Sequence, residues 1–200
     1  MAYELRALSD RDGCNSLSLG DPTLVPLKTF LRKEAKRLHR DNLARTFVLV
    51  ETGETRVLAY ITLVCTHVAV QQFGDPGPVG GFRYADFPAV KLARLAVDSD
   101  LQAQGVGAQL VDFAVALTEE HIMPNAGCRF LVVDAKANSL GFYLRKGFRK
   151  MGEAADAVGH FTTMFVDLHR LQVIVGVTPD RVLVSRDDNR GCPTSPLRAS

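Results

Sequence analysis

The apolar residues divide the chain into runs that suit strands and stripes that suit helices. Residues 3 to 8 open as a short strand, followed by a polar, glycine-containing stretch to Pro22. Over residues 24 to 42, Leu27, Leu31 and Leu38 recur at spacings of four and seven, placing them on one face of a helix with basic residues on the others. Residues 46 to 51 and 57 to 70 are rich in β-branched and apolar side chains, with ETGET as a turn between them, and predict a hairpin with a long second strand. Residues 71 to 88 hold four glycines and three prolines, too many breakers for a regular element, so a long loop is expected there. A strand over 89 to 97 follows, then a helix from 104 to about 121 stopped before Pro124, and a strand over 128 to 134. Residues 137 to 146 predict a short helix closed by Gly147, and 148 to 151 with 161 to 168 predict a final strand pair.

This order implies an α/β, or α+β, mixed sheet with a strand-helix-strand crossover in its second half. Residues 1 to 170 are read as one domain. From Leu171 onward VIVGV and RVLVS flank Thr178, Pro179 and Asp180 as a candidate hairpin, and SRDDNRGCPTSPLRAS reads as a flexible tail, so 171 to 200 form a C-terminal extension.

Composition narrows the class. With 200 residues, 46% of them hydrophobic, the chain can bury one substantial core and is short for two. No stretch approaches the roughly 18 consecutive apolar residues of a membrane span, and MAYELR lacks the apolar core of a signal peptide, so a cytoplasmic protein is expected. Cys14, Cys65, Cys128 and Cys192 are scattered without zinc or redox spacing; no metal is expected, and the four read as reduced, mostly buried thiols. Charge is more informative locally than in total. Lys28, Arg32, Lys33, Lys36, Arg37, Arg40 and Arg45 face only Glu34 and Asp41 within residues 28 to 45, a local +5 that leaves −3 for the rest of a chain of net charge +2.

The stretch LAVDSDLQAQGVGAQL sets a Gly-x-Gly turn between an apolar strand and a helix. Such a turn aims backbone N–H groups and the positive end of a helix dipole at one point, which suits an anion. A P-loop is excluded, because no Lys-Ser or Lys-Thr follows Gly105 or Gly107. A dinucleotide fingerprint is imitated by the strand, turn, helix and second strand ending at Asp134. However, its third glycine falls at Leu110, and seven residues separate Val97 from Gly105 where that fold turns almost at once.

Both landmarks of a third cradle are present. LARLAVDSDLQAQGVGAQLVDFA carries Gln102, Gly105 and Gly107 in a Gln/Arg-x-x-Gly-x-Gly/Ala pattern, and CRFLVVDAKANSLGFYLRKGFRKMG places Asn138, Phe142, Tyr143, Gly147 and Phe148 one strand later. In that order and spacing the sequence resembles the GNAT N-acetyltransferases. The resemblance implies a central, largely antiparallel sheet with a splayed pair of strands and flanking helices, and acetyl-CoA as co-substrate. It implies that Gln102, Ala103, Gln104, Gly105, Val106 and Gly107 cradle the pyrophosphate. Leu95, Ala96 and Val97 would line the gap taken by the pantetheine arm, with the Val97 N–H polarising the thioester carbonyl. Glycine at 105 and 107 suits the cradle, since a Cβ crowds an approaching phosphate.

Acetyl transfer to an amine needs a neutral amine, a polarised carbonyl and protonation of the leaving thiolate. The resemblance implies direct attack without an acyl-enzyme, and makes Tyr143 the proton donor to sulfur; the alternative for Tyr143 is a packed aromatic beside Phe142 and Phe148. Asn138 is either a coenzyme A contact or a helix N-cap. No base stands out: residues 90 to 97 offer only Lys91 and Arg94, and Glu51, His67 and Asp86 are candidates that also suit a strand end, an ordinary strand histidine and a loop residue. An acceptor of low pKa needs no strong base.

Two further stretches, LKTFLRKEAKRLHRDNLARTFVLVE and RYADFPAVKLARLAVD, are similar to the toxin branch of the same superfamily, which acetylates the amino group of aminoacyl-tRNA. On that reading Lys28, Arg32, Lys36 and Arg40, recurring every four residues, track a tRNA backbone, and a ribbon-helix-helix antitoxin and a second copy of the chain are candidate partners. A solvated amphipathic helix explains the same spacing. The alternatives are a GNAT enzyme acting on a small-molecule amine, a protein lysine or an N-terminus, and a catalytically silent acetyl-CoA-binding module.

Overall fold

The computed structural model describes residues 2–73, 79–152 and 161–170; the candidate hairpin and tail of the C-terminal extension lie outside them. Seven strands form one sheet in the order β1-β2-β3-β4-β5-β7-β6: β1 (Tyr3–Ala7), β2 (Arg45–Glu51), β3 (Ala59–Ala69), β4 (Asp86–Val97), β5 (Phe130–Lys136), β6 (Arg149–Lys150) and β7 (Phe161–Asp167). Every pairing is antiparallel except β4 with β5. Between those two comes helix α3 (Val106–Leu117), as the predicted crossover requires.

Pairing of β4 with β5 covers only Ala89 with Phe130, Val90 with Leu131 and Lys91 with Val132, although both strands run on, to Val97 and Lys136. The expected splay is therefore present, and its apex is Lys91. A bulge explains where it opens. Thr62 pairs with Arg94 and Leu63 with Leu92, so Ala93 is an extra residue on β4, and a bulge bends and twists its strand. Side-chain alternation records the same step. Val90 and Leu92 lie in the core beneath α3, and beyond the bulge Leu95 and Val97 pack on that same core while Ala96 joins the opposite one.

The two faces are closed by different helices. α3 and the short α5 (Leu140–Arg145) cover one face, with Phe47 and Phe113 edge-to-face at 4.9 Å. The other face carries α1 (Val25–Lys33) and α2 (Ala35–Arg40) at one end, and at the other an aromatic group of Phe73, Phe82, Phe87, Phe130 and Phe165.

Three sequence expectations change. The predicted helix over 24 to 42 is a 3₁₀ turn (Pro22–Leu24), α1 and α2, broken where Glu34 takes φ −121°. The helix after the glycine turn begins at Val106, not Gln104, and is not stopped before Pro124: a π turn (Thr118–Ile122) leads into α4 (Met123–Ala126), which ends at Gly127 with φ +68°. Pro124 sits in the first turn of α4, directly after the π turn. β4 starts at Asp86, inside the expected loop, and includes Pro88 opposite His67; the Pro88 carbonyl accepts the Arg129 N–H just before β5 begins.

Candidate functional site

The turn between β4 and α3 is held open by two left-handed residues, Ala103 at φ +61° and Gly105 at φ +83°. Gly105 is the N-cap of α3 and supplies no side-chain cap. Among the described residues the amides of Ala103, Gln104 and Gly105 donate no backbone hydrogen bond, and those of Val106, Gly107 and Ala108 fall in the first helical turn, where no intrahelical acceptor exists. Six consecutive N–H groups at a positive helix end make an anion nest.

The structure adds a separate backbone or packing reason for each glycine. A Cβ on Gly105 meets no protein atom within 4 Å, and its φ of +83° favours glycine by backbone angle. A Cβ on Gly107 points toward Phe142 Cζ at 3.8 Å, Val97 Cγ2 at 3.8 Å and Leu95 Cδ2 at 3.9 Å, so glycine there lets α3 sit closely over β4 and α5.

Gln102 reaches the site by its side chain. Nε2 donates to the carbonyls of Val97 at 3.1 Å and Leu19 at 3.3 Å, tying the turn to the end of β4, while its own N–H is directed at Ser99 O. Gln104 Nε2 donates to Asp100 O. Sequence reasoning passed over Asp98, which is 1% exposed. Its carboxylate accepts the amides of Ser18 at 2.9 Å and Asp100 at 3.2 Å, with Arg56 at 3.8 Å, and Ser99 N–H donates to Ser18 O, so the loop before Gly20 is stapled under the nest. The signal was available: an Asp directly after an apolar strand and one residue before a turn is a capping position.

Along β4 the splay exposes backbone selectively. Asp98 N–H donates to Leu58 O of the segment leading into β3, so by antiparallel alternation Ala96 is bonded to Tyr60, whereas Leu95 and Val97 turn their amides toward β5, where no strand pairs with them. Of the three gap residues expected, Leu95 and Val97 present N–H groups and Ala96 does not.

Tyr143 projects from α5 into the core beneath α3, 7% exposed, edge-to-face with Phe142 at 5.0 Å and Phe148 at 5.4 Å. Its hydroxyl makes no hydrogen bond among the described residues, and burial pushes its pKa up to about 12. It is both the packed aromatic and a protonated hydroxyl. Gly147, at φ +83°, closes α5 as expected, with Phe148 N–H returning to Tyr143 O. Asn138 is exposed in a 3₁₀ turn (Ala137–Ser139) between β5 and α5 and is not an N-cap; that position belongs to Ser139, which makes no side-chain cap bond.

None of the three candidate bases lies at the splay. His67 and Asp86 sit at the end of β3 and β4 remote from Val97, and Glu51 pairs with Tyr3 on the outermost strand β1. The basic helix is also not one continuous stripe. The break at Glu34 separates Lys28 and Arg32 from Lys36 and Arg40, and the latter two turn to Asp10, Lys36 Nζ donating to its carbonyl at 2.8 Å and Arg40 lying 3.9 Å from its carboxylate. Cys14 and Cys128 are free and buried, with burial pushing both thiols up, while Cys65 is free and exposed; Cys192 lies outside the described residues. No helix among the described residues is long and apolar enough to cross a membrane.

Comparison with known proteins agrees with this geometry. The chain is 34% identical over 110 residues to a tRNA-acetylating toxin of Mycobacterium tuberculosis (strain ATCC 25618 / H37Rv), a match that spans 55% of this chain and 62% of that relative's length. Its fold superposes with TM-score 0.76 on AtaT complexed with acetyl-methionyl-tRNAfMet, at 24% identity over 86% of this chain and 99% of that one. A mutant AtaT toxin bound to the C-terminus of the antitoxin AtaR and acetyl-CoA matches with TM-score 0.67 and 25% identity, over 86% of this chain and 97% of that one. The family model for the GNAT acetyltransferase domain matches residues 44–150, more than half of the chain and including both landmarks. With the splayed strands, the uncapped helix and that match together, the chain belongs to the GNAT acetyltransferase family.

Proposed function

We propose that residues 1 to 170 form an acetyl-CoA-dependent N-acetyltransferase domain that moves an acetyl group by direct attack onto the amino group of aminoacyl-tRNA. The observation that carries the chemistry is that the free amides of Ala103 to Ala108 follow directly on the strand edge where Leu95 and Val97 turn their unpaired amides toward β5. The nest suits a pyrophosphate, the strand amides suit an amide-containing arm, and a donor from Leu95 or Val97 suits a thioester oxygen. Bound acetyl-CoA supplies an activated acyl group and a thiolate leaving group. Tyr143, with its pKa raised to about 12, stays protonated at neutral pH and is the donor to that sulfur. Asn138, exposed at the mouth of α5, is the remaining cofactor contact.

Two observations bear on the acceptor. The relative named a tRNA-acetylating toxin and the AtaT complex with acetyl-methionyl-tRNAfMet point to an aminoacyl ester, whose amino group is less basic than a lysine's and needs no strong protein base. Lys28 and Arg32 on α1 make no hydrogen bond or ion pair among the described residues and are the cations left to meet phosphate, while Lys36 and Arg40 serve Asp10 first. A ribbon-helix-helix antitoxin is the protein partner this reading implies, a second copy of the chain is another candidate partner, and the cytoplasm is the compartment.

The test uses the purified full chain, acetyl-CoA and a panel of aminoacyl-tRNAs, reading free coenzyme A and, after nuclease digestion, the mass of the aminoacyl-adenosine. Gain of one acetyl group on the aminoacyl end is expected. Turnover with lysine peptides or small amines, and none with aminoacyl-tRNA, overturns the choice of acceptor.

A further inference from the structure

At the apex of the splay, on the face opposite α3, a polar cluster sits between two apolar ones. Lys91 alternates with Val90 and Leu92, and Asp134 with Val133 and Ala135, all four of which belong to the core under α3, so both charged side chains emerge on the α1 face. There the Lys91 ammonium bonds Asp134 Oδ2, and the Thr163 hydroxyl donates to Asp134 Oδ1 at 3.0 Å. To one side lies the cluster under α1, where Arg94 covers the Phe30 ring at 5.2 Å, and to the other the aromatic group around Phe87 and Phe130. The pair is open to a ligand, with side chains 33% and 39% exposed.

We infer that Asp134 receives the amino group of the acceptor, and that Lys91 keeps the site from favouring its protonated form. This deepens the proposed function and rests on it. Lys91 is the last residue of β4 paired with β5, so the cluster marks the point where the channel for the acyl donor begins, approached from the face that α3 does not cover. A carboxylate already neutralised by an ammonium accepts an N–H bond without adding net negative potential. Such a site holds a neutral amine, lone pair free, where a bare carboxylate would select the ammonium and block attack. Nearby charges reinforce this. Arg94 on β4, Lys136 on β5 and Arg149 on β6 share the face, β7 brings Phe161, Thr163, Phe165 and Asp167, the carboxylate of Asp167 is already paired with Arg129 and Arg170, and Asp21 before α1 feels Lys136. The chemical class selected is a primary amine that is substantially neutral at physiological pH, such as one α to an ester.

The experiment compares the full-length wild-type chain with Asp134→Asn and Lys91→Met, using methionyl-tRNA as acceptor and a lysine peptide as control. Melting temperature and acetyl-CoA affinity are measured first. Asp134→Asn is expected to raise the acceptor KM at least tenfold while kcat and the acetyl-CoA Kd stay within threefold. Lys91→Met is expected to move the alkaline-rising limb of the kcat–pH profile up by about one unit, since the site then stabilises the ammonium. An unchanged acceptor KM in Asp134→Asn, or an unmoved profile in a folded Lys91→Met, overturns the inference. Wild-type turnover of the lysine peptide without turnover of methionyl-tRNA overturns the acceptor reading instead, so the two failures are distinguishable.

Discussion

Gln102 Nε2 donates to the Val97 carbonyl at 3.1 Å, and this bond joins the two halves of the proposed cofactor site. One half is the strand edge at Leu95 and Val97; the other is the row of free amides that begins one residue after Gln102. The bond fixes their relative position. Gln102→Ala is expected to weaken coenzyme A binding by about 1 kcal/mol, roughly fivefold, the net worth of one neutral hydrogen bond. Calorimetric titration with coenzyme A checks it, and an unchanged Kd would show that the turn holds its shape without the tether.

Tyr143 offers a test with two readouts. Tyr143→Phe removes only the hydroxyl, which makes no hydrogen bond among the described residues, so the fold and acetyl-CoA affinity should persist while kcat falls about a hundredfold. Its pKa, pushed up to about 12 from an ordinary 10, also has a stability consequence. Between those values the unfolded chain has released the phenolic proton and the folded chain has kept it, so stability falls as pH rises through that window and is unaffected below it. Tyr60 is buried, its hydroxyl donates to Leu27 O at 2.8 Å, and its pKa is shifted in the same direction, adding to the same alkaline loss. Denaturant titrations from pH 8 upward should show a shallower loss in Tyr143→Phe than in the wild type.

The two glycines are expected to fail differently. Gly105→Ala meets open space but forces a side chain to φ +83°, at a cost of about 1 kcal/mol, and should lower coenzyme A affinity by disturbing the nest. Gly107→Ala puts its methyl at ordinary van der Waals distance from Phe142, Val97 and Leu95 and should be tolerated, whereas Gly107→Val should lift α3 from the sheet and lower the melting temperature. Equal behaviour of the two alanine variants would remove this distinction.

How much of this was legible depends on whether the information is local. The apolar runs located every strand, because burial on a face shows as composition and alternation, and Gly147 was read as a helix terminator because its requirement is a single backbone angle. The splay was legible only by resemblance. It arises from one extra residue, Ala93, whose effect depends on its pairing partner across β3, and no local pattern encodes a register. The break at Glu34 escaped for a similar reason: Leu27, Leu31 and Leu38 keep helical spacing across it and all reach the same core, so the apolar stripe does not record the break. Lys91 and Asp134 stand 43 positions apart in sequence and meet only because the crossover lays β5 beside β4.

Asp98 carries the heaviest structural demand near the site. Its 1% exposed carboxylate satisfies the Ser18 and Asp100 amides together, and removing it leaves both donors without their acceptor beneath the turn. Asp98→Ala is expected to cost about 2–3 kcal/mol of stability, the charge-assisted bonds plus the desolvated donors, and to release the loop before Gly20. Chemical denaturation measures the first, and faster amide exchange at Ser18 and Ser99 than in the wild type measures the second.

The basic residues make a graded prediction about nucleic acid. Lys28 and Arg32 have no protein partner among the described residues, whereas Lys36 and Arg40 must leave Asp10 before they can meet a phosphate. Each phosphate that is no longer neutralised by a cation should reduce the slope of log K against log salt by about 0.7 to 0.9. The double change Lys28→Gln with Arg32→Gln is therefore expected to flatten the salt dependence of tRNA binding by between one and two units. The double change Lys36→Gln with Arg40→Gln should flatten it less, because breaking the bonds to Asp10 offsets part of each cation's attraction to phosphate. Binding isotherms between low and physiological salt separate the two; equal slopes would mean that α2 reorients on binding, and a slope unchanged in both would place the tRNA backbone on another face.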